Sequence, residues 1–190
     1  MKFCDMPYER IDVKAATEAL DAAAERLSAA KTLEEAERAF AEREKISPHV
    51  QTMSTIAYIR HTVNALDEFY EKENDFNDEN APLIEQSEQK FTEAMLKSPL
   101  RAQLEEKYGK LMFVNAELSR KCFSPEIIPD LQEENKLSSE YQKLIASAQI
   151  YFNGEKLSLS QLGAYKENAE RDTRRAAYEA ESGFYMAHAD

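Results

Sequence analysis

Four glycines and six prolines among 190 residues are too few to supply the turns of an all-β fold. Ala, Glu, Lys, Leu and Gln fill the chain instead, and these residues favour helices. Two cysteines, Cys4 and Cys122, lie too far apart in sequence for a disulfide framework or a metal cluster, and without CxxC spacing they do not read as a redox pair. They are expected as an exposed terminal thiol and a thiol at the edge of the core. No run approaches the roughly 20 apolar residues needed to span a bilayer, and Met1 to Arg10 contains no apolar h-region. The chain therefore reads as cytoplasmic. Basic charge is also short: 24 Lys and Arg stand against 36 Asp and Glu, a formal net charge of −12. A nucleic-acid phosphate backbone or an anionic membrane surface would be repelled, so neither is expected as a partner.

The usual signatures of chemistry are missing too. Of the three histidines, His49, His61 and His188, none belongs to a His-Glu-x-x-His pattern, which sets two imidazoles on one helical face beside a glutamate base. His49 is expected near a helix start and His61 on the flank of an apolar stripe; a sharper alternative groups His61 with Tyr58 and Arg60 around a ligand cleft. There is no Gly-x-Ser-x-Gly elbow and no glycine-rich phosphate loop. The acidic residues between Glu68 and Glu79 lack the order of a calcium loop and read as a solvated face, and the stretch from Glu71 to Asn80 reads as a solvated helix end or loop. Arg171, Arg174 and Arg175 could clamp a carboxylate, or pair with Asp172 and Glu179 one helical turn away. No catalytic and no metal-binding residue is expected in this chain, and its substrate-contacting residues stay undefined.

What is present is helical periodicity. Asp12 opens a first helix whose face is Ala16, Leu20, Ala23 and Leu27, small enough for a neighbour to approach closely. Thr32-Leu33-Glu34-Glu35 is a capping box that starts a second. Ser47-Pro48 either starts a third or kinks a continuous one. Beyond it Met53, Ile56, Ala57, Ile59, Val63, Leu66 and Tyr70 make a broad apolar stripe. Pro82 fits the first turn of another helix, with Leu83, Phe91, Met95 and Leu96 inward. Ser98-Pro99 is expected to cap a short one that ends at Gly109, and a further helix runs from about Lys110 to Cys122.

The most informative stretch is Leu131 to Ala180. Leu137, Tyr141, Leu144 and Ala148 share one helical face. The period then changes to alternation in Ala148 to Phe152 and in Glu155 to Leu159, with Asn153-Gly154 between, a type I′ hairpin signal. Phe152 should face Glu155 and Ile150 face Leu157, so that Ala148, Ile150, Phe152, Leu157 and Leu159 form one apolar side. Helical period returns with Asn168 as an expected N-cap and Thr173, Ala177, Ala180 and Phe184 on one face. The fold class is thus mainly α: an elongated antiparallel helical array with one small hairpin over about Gln149-Ser158.

Several motifs occur in a family's order. Met6-Pro7-Tyr8-Glu9-Arg10, Ala57-Tyr58-Ile59-Arg60-His61, Asp67-Glu68-Phe69-Tyr70, the run from Asp130 to Tyr141, Lys143 to Ile150, Gly154-Glu155, Leu157 to Leu162 and Arg171 to Ala180 together resemble the N-terminal region of the oligoendopeptidase F family, relatives of thimet oligopeptidase. Glu170 and Pro48 are small departures, standing where the family commonly has aspartate and asparagine. The resemblance implies an intact cytoplasmic zinc metallopeptidase that hydrolyses short peptides. Its zinc is held by the histidines of His-Glu-x-x-His and a downstream glutamate, all C-terminal to anything here. By that resemblance residues 1–190 are the N-terminal helical region of the enzyme, inactive alone and part of a substrate-channel wall. They form one region, or a bundle over 1–123 followed by a helix-hairpin-helix over 124–190 that starts the catalytic portion. The missing catalytic portion is then a partner. The alternative is a free-standing helical interaction module without catalytic function.

Overall fold

The computed structural model describes residues 2–65 and 67–189. Among them are eight α-helices and one two-stranded antiparallel sheet, so the fold is mainly α. The chain divides into two compact units, residues 1–136 and 137–190.

In the first unit, α1 (Val13–Ala29), α2 (Leu33–Val63) and α3 (Glu68–Lys97) pack on one another. Asp12 caps α1 by accepting from the Ala15 amide at 2.9 Å, and the Thr32/Glu35 capping box closes the start of α2. The expected face of α1 is the buried one: Ala16, Leu20, Ala23 and Leu27. Ala23, Ala24 and Leu27 meet Ala36, Ala39 and Phe40 of α2 and Phe91 and Met95 of α3 in one core, which Leu104 of α4 (Arg101–Tyr108) and Phe113 of α5 (Lys110–Lys121) complete. Burying a leucine or phenylalanine of this kind contributes about 1.5–3 kcal/mol. Gly109 ends α4 with φ +89°, a region open to glycine at little cost.

Several expectations are corrected. Pro48 lies inside the continuous helix α2, the second of its two alternatives, whereas Pro82 lies inside α3 and starts nothing. The acidic stretch from Glu71 to Asn80 is accordingly the body of α3, neither helix end nor loop, with Glu73 and Asn74 buried. His49 sits mid-helix. Of the expected stripe, Met53, Ile56 and Ala57 are buried and Ile59 half-buried, but Val63 is 81% exposed at the C-terminal end of α2, Tyr70 belongs to α3, and Leu66 lies outside the described residues. Leu100 occupies the N-cap position of α4, and Ser98 Oγ accepts from its amide at 3.2 Å.

A 3₁₀ turn, Pro125–Ile127, leads into α6 (Ile128–Ala146), within which the two units divide. The second unit continues as a hairpin. β1 (Ile150–Phe152) pairs with β2 (Glu155–Leu157) in the expected register, Ile150 opposite Leu157 and Phe152 opposite Glu155. Asn153 and Gly154 have φ +51° and +85°, as a type I′ turn requires. Ile150, Phe152 and Leu157 form a small core with Leu162 of α7 (Leu159–Lys166) and Ala177 of α8 (Arg171–Met186); Leu159, Ala180 and Phe184 pack against it. Ser158 and Gln161 make a second capping box at α7, a helix that the hairpin's alternating pattern hides. Glu170, not Asn168, stands at the N-cap of α8; Asn168 Oδ1 accepts from the Glu170 amide at 2.9 Å, forming a turn just before it.

Candidate functional site

The three histidines stay apart. His49 is exposed in the middle of α2, and His188 follows α8 with its ring against Phe184. His61 is 4% exposed near the C-terminal end of α2, its Nδ1 without a hydrogen-bond partner. Tyr58, Arg60 and His61 do not share a cleft: Tyr58 is exposed, His61 is buried, and Arg60 reaches the N-terminal segment. There its Nη2 donates to Met6 O at 2.6 Å and Cys4 O at 3.4 Å, while Nη1 donates to the Tyr70 hydroxyl.

Two of the three arginines of α8 are occupied locally, and Arg171 is exposed. Arg175 pairs with Glu179 at 2.8 Å, and Arg174 donates to the carbonyls of Asn168 and Ala169 at 2.6 and 2.8 Å. They form no common anion seat.

One polar cluster is drawn inward from the acidic stretch. Glu73, 3% exposed on α3, accepts from Arg10 Nε at 2.9 and 3.1 Å and from the Tyr8 hydroxyl at 2.6 Å, and Arg10 Nη2 closes the pair. The Arg10 guanidinium lies 4.6 Å from the Phe76 ring centroid, and the Tyr8 ring meets Phe69 and Tyr70 edge-on. The bonds from Arg10, and secondarily from Tyr8, hold the Glu73 carboxyl below the ordinary range against the cost of its burial. Burial, together with the bond to Glu73, pushes the Tyr8 hydroxyl up. A carboxylate kept ionised with both oxygens already accepting is a poor proton acceptor, so this cluster anchors residues 8–10 to α3. Glu73 lies more than 60 residues from Tyr8 and Arg10, and no local pattern in the sequence pairs them.

Among the described residues, no group of three or more His, Cys, Asp and Glu side chains is placed to hold a metal ion. Open grooves along α1 and α3 are lined by Asp21, Ser28, Lys90, Glu93 and Lys97, but Lys90 pairs with Asp21 and Lys97 with Glu93. The remaining feature is uncovered apolar surface: Leu111, Val114 and Leu118 on α5, Leu137 and Tyr141 on α6, and Tyr178, Tyr185 and Met186 on α8. No helix is long and apolar enough to cross a membrane among the described residues.

The family model of the peptidase M3 N-terminal domain matches residues 3–123. The chain belongs to the peptidase M3 N-terminal domain family. Solved structures agree with it through almost the whole chain. PZ peptidase A, solved with an inhibitor, superposes with a TM-score of 0.94 at 41% identity over 98% of this chain and 33% of its own. An oligoendopeptidase F from Bacillus anthracis str. Ames gives 0.93 at 41% identity over 98% of this chain and 34% of its own. A further structure named as oligoendopeptidase F gives 0.94 at 38% identity over 99% and 33%. The chain thus spans about a third of the length of these structures, and its family match is to an N-terminal domain. No curated protein matches it.

Proposed function

We propose that this chain supplies the N-terminal part of a zinc-dependent oligoendopeptidase that hydrolyses short peptides in the cytoplasm. In this reading residues 1–190 form part of the wall of the substrate channel and carry no catalytic group, while zinc and the general base belong to the remaining two-thirds of the enzyme. The observation that carries the reading is the M3 family match over 3–123, continued by 41% identity to solved peptidases over 98% of the chain.

The test compares two proteins: the 190-residue chain, and the same chain followed by the remaining two-thirds of the Bacillus anthracis oligoendopeptidase F. Zinc content and cleavage of an internally quenched short peptide are measured for both, with and without a chelator. The chain alone should bind no stoichiometric zinc and cleave nothing; the longer protein should cleave and lose activity to the chelator. Chelator-sensitive cleavage by the chain alone would overturn the non-catalytic assignment. A folded longer protein that is inert would overturn the peptidase reading and leave a helical binding module.

A further inference from the structure

A 19-residue helix in water is held chiefly by the apolar face it buries, yet α6 buries no residue along its length. Its face is not polar. Leu137 and Tyr141, four residues apart and hence neighbours on one side, are 55% and 57% exposed. The second unit repeats the pattern on α8, where the inward side is Ala177 with Ala180 and Phe184, and Tyr178 and Tyr185, seven apart on one flank, are exposed along with Met186. Its own buried apolar side chains among the described residues are six, Ala148, Ile150, Phe152, Leu157, Leu162 and Ala177. A unit of 54 residues with so small a core is marginal by itself.

Two further observations bear on what covers this surface. The family match to the N-terminal domain stops at residue 123, before α6 begins, whereas the likeness to solved peptidases continues over 98% of the chain. The segment after 123 therefore keeps its conformation inside proteins three times as long. We infer that the uncovered apolar sides of α6 and α8, Leu137 and Tyr141 foremost, are the seat on which the remaining two-thirds of an M3 peptidase packs. The inference rests on the reading above and adds to it a surface. It also distinguishes that surface from the exposed seam Leu111, Val114 and Leu118 of α5, which lies within the matched N-terminal domain.

The double variant L137S/Y141S tests it in the two proteins already described. In the 190-residue chain both side chains are exposed, so the melting temperature should stay within about 1 °C. In the longer protein the same pair should lower it by several degrees, and the α5 pair L111S/L118S should not. Nitration by tetranitromethane reads the surface without a variant: Tyr141 should react in the 190-residue chain and be protected in the longer protein. Equal effects of L137S/Y141S in both proteins, nitration of Tyr141 in both, or a longer protein that never folds with the native residues would each overturn the inference. A folded, inert longer protein with Tyr141 protected would sink the peptidase reading and keep the docking surface. An active one with Tyr141 still reactive would do the reverse.

Discussion

The side-chain amide of Asn135 donates to the carbonyl oxygen of Asp78 at 3.1 Å, the acceptor that Pro82, four residues later in α3, leaves without a helical donor. Gln132 donates to the next carbonyl, Glu79, at 2.7 Å. Proline inside a helix removes one hydrogen bond, and α6 returns it from a distance.

Asn135→Ala should destabilise the protein by about 1 kcal/mol, a fall of roughly 2–4 °C in Tm. In Pro82→Ala, where residue 82 regains an amide proton, the same substitution should be close to neutral. A double-mutant cycle by denaturant unfolding reads the coupling; additive effects would show that the Asn135 bond is unrelated to the proline.

Glu73 supplies an acid-sensitive contribution. Its carboxyl titrates lower in the folded protein than the ordinary value near 4.3, so its contribution is fully present above that value and is lost as pH falls through the depressed folded value. Glu73→Gln should cost about 2 kcal/mol at pH 7, and the gap between variant and native protein should narrow below about pH 4. Urea midpoints from pH 7 to pH 3 measure it, and a gap independent of pH would refute the assignment.

Gly154 holds φ +85° with open space where a Cβ would stand, so a side chain there meets only backbone strain. Gly154→Val should cost about 1–2 kcal/mol, whereas Asn153→Gly, at φ +51°, should change stability by only a few tenths. Hydrogen exchange of the amides of residues 150–157 localises the loss to the hairpin.

Two capping boxes give matched tests in separate units. Thr32→Ala and Ser158→Ala should each cost about 1 kcal/mol, the first loosening the start of α2 and the second that of α7. Faster exchange confined to the first turn of the helix concerned would confirm each; uniform loss throughout the chain would not.

Where a signal acts over a few residues, the sequence was legible. Asn153-Gly154 with its flanking alternation, the Thr32/Glu35 box and the Asp12 helix all stand where their patterns place them. Proline favours a first turn, and the donor that answers the carbonyl Pro82 leaves open inside α3, Asn135, lies more than 50 residues downstream. Glu73 is masked in the same way: it sits among Glu71, Asp75, Asp78 and Glu79, and its partners Tyr8 and Arg10 are more than 60 residues upstream. The apolar face of α6 was visible as a face, but periodicity does not say whether anything covers it. The family resemblance came from whole motifs in order, because no single residue here carries the peptidase chemistry.

Arg60 holds the N-terminal segment through main-chain oxygens, and a grip on carbonyls is indifferent to the side chains attached to them. Cys4 takes part only through its carbonyl there, and its thiol is exposed. Replacing it by serine therefore leaves a chain with one thiol, the exposed Cys122 beyond the end of α5, so a single fluorophore can be placed at a defined point on the surface without loosening the segment that Arg60 ties down.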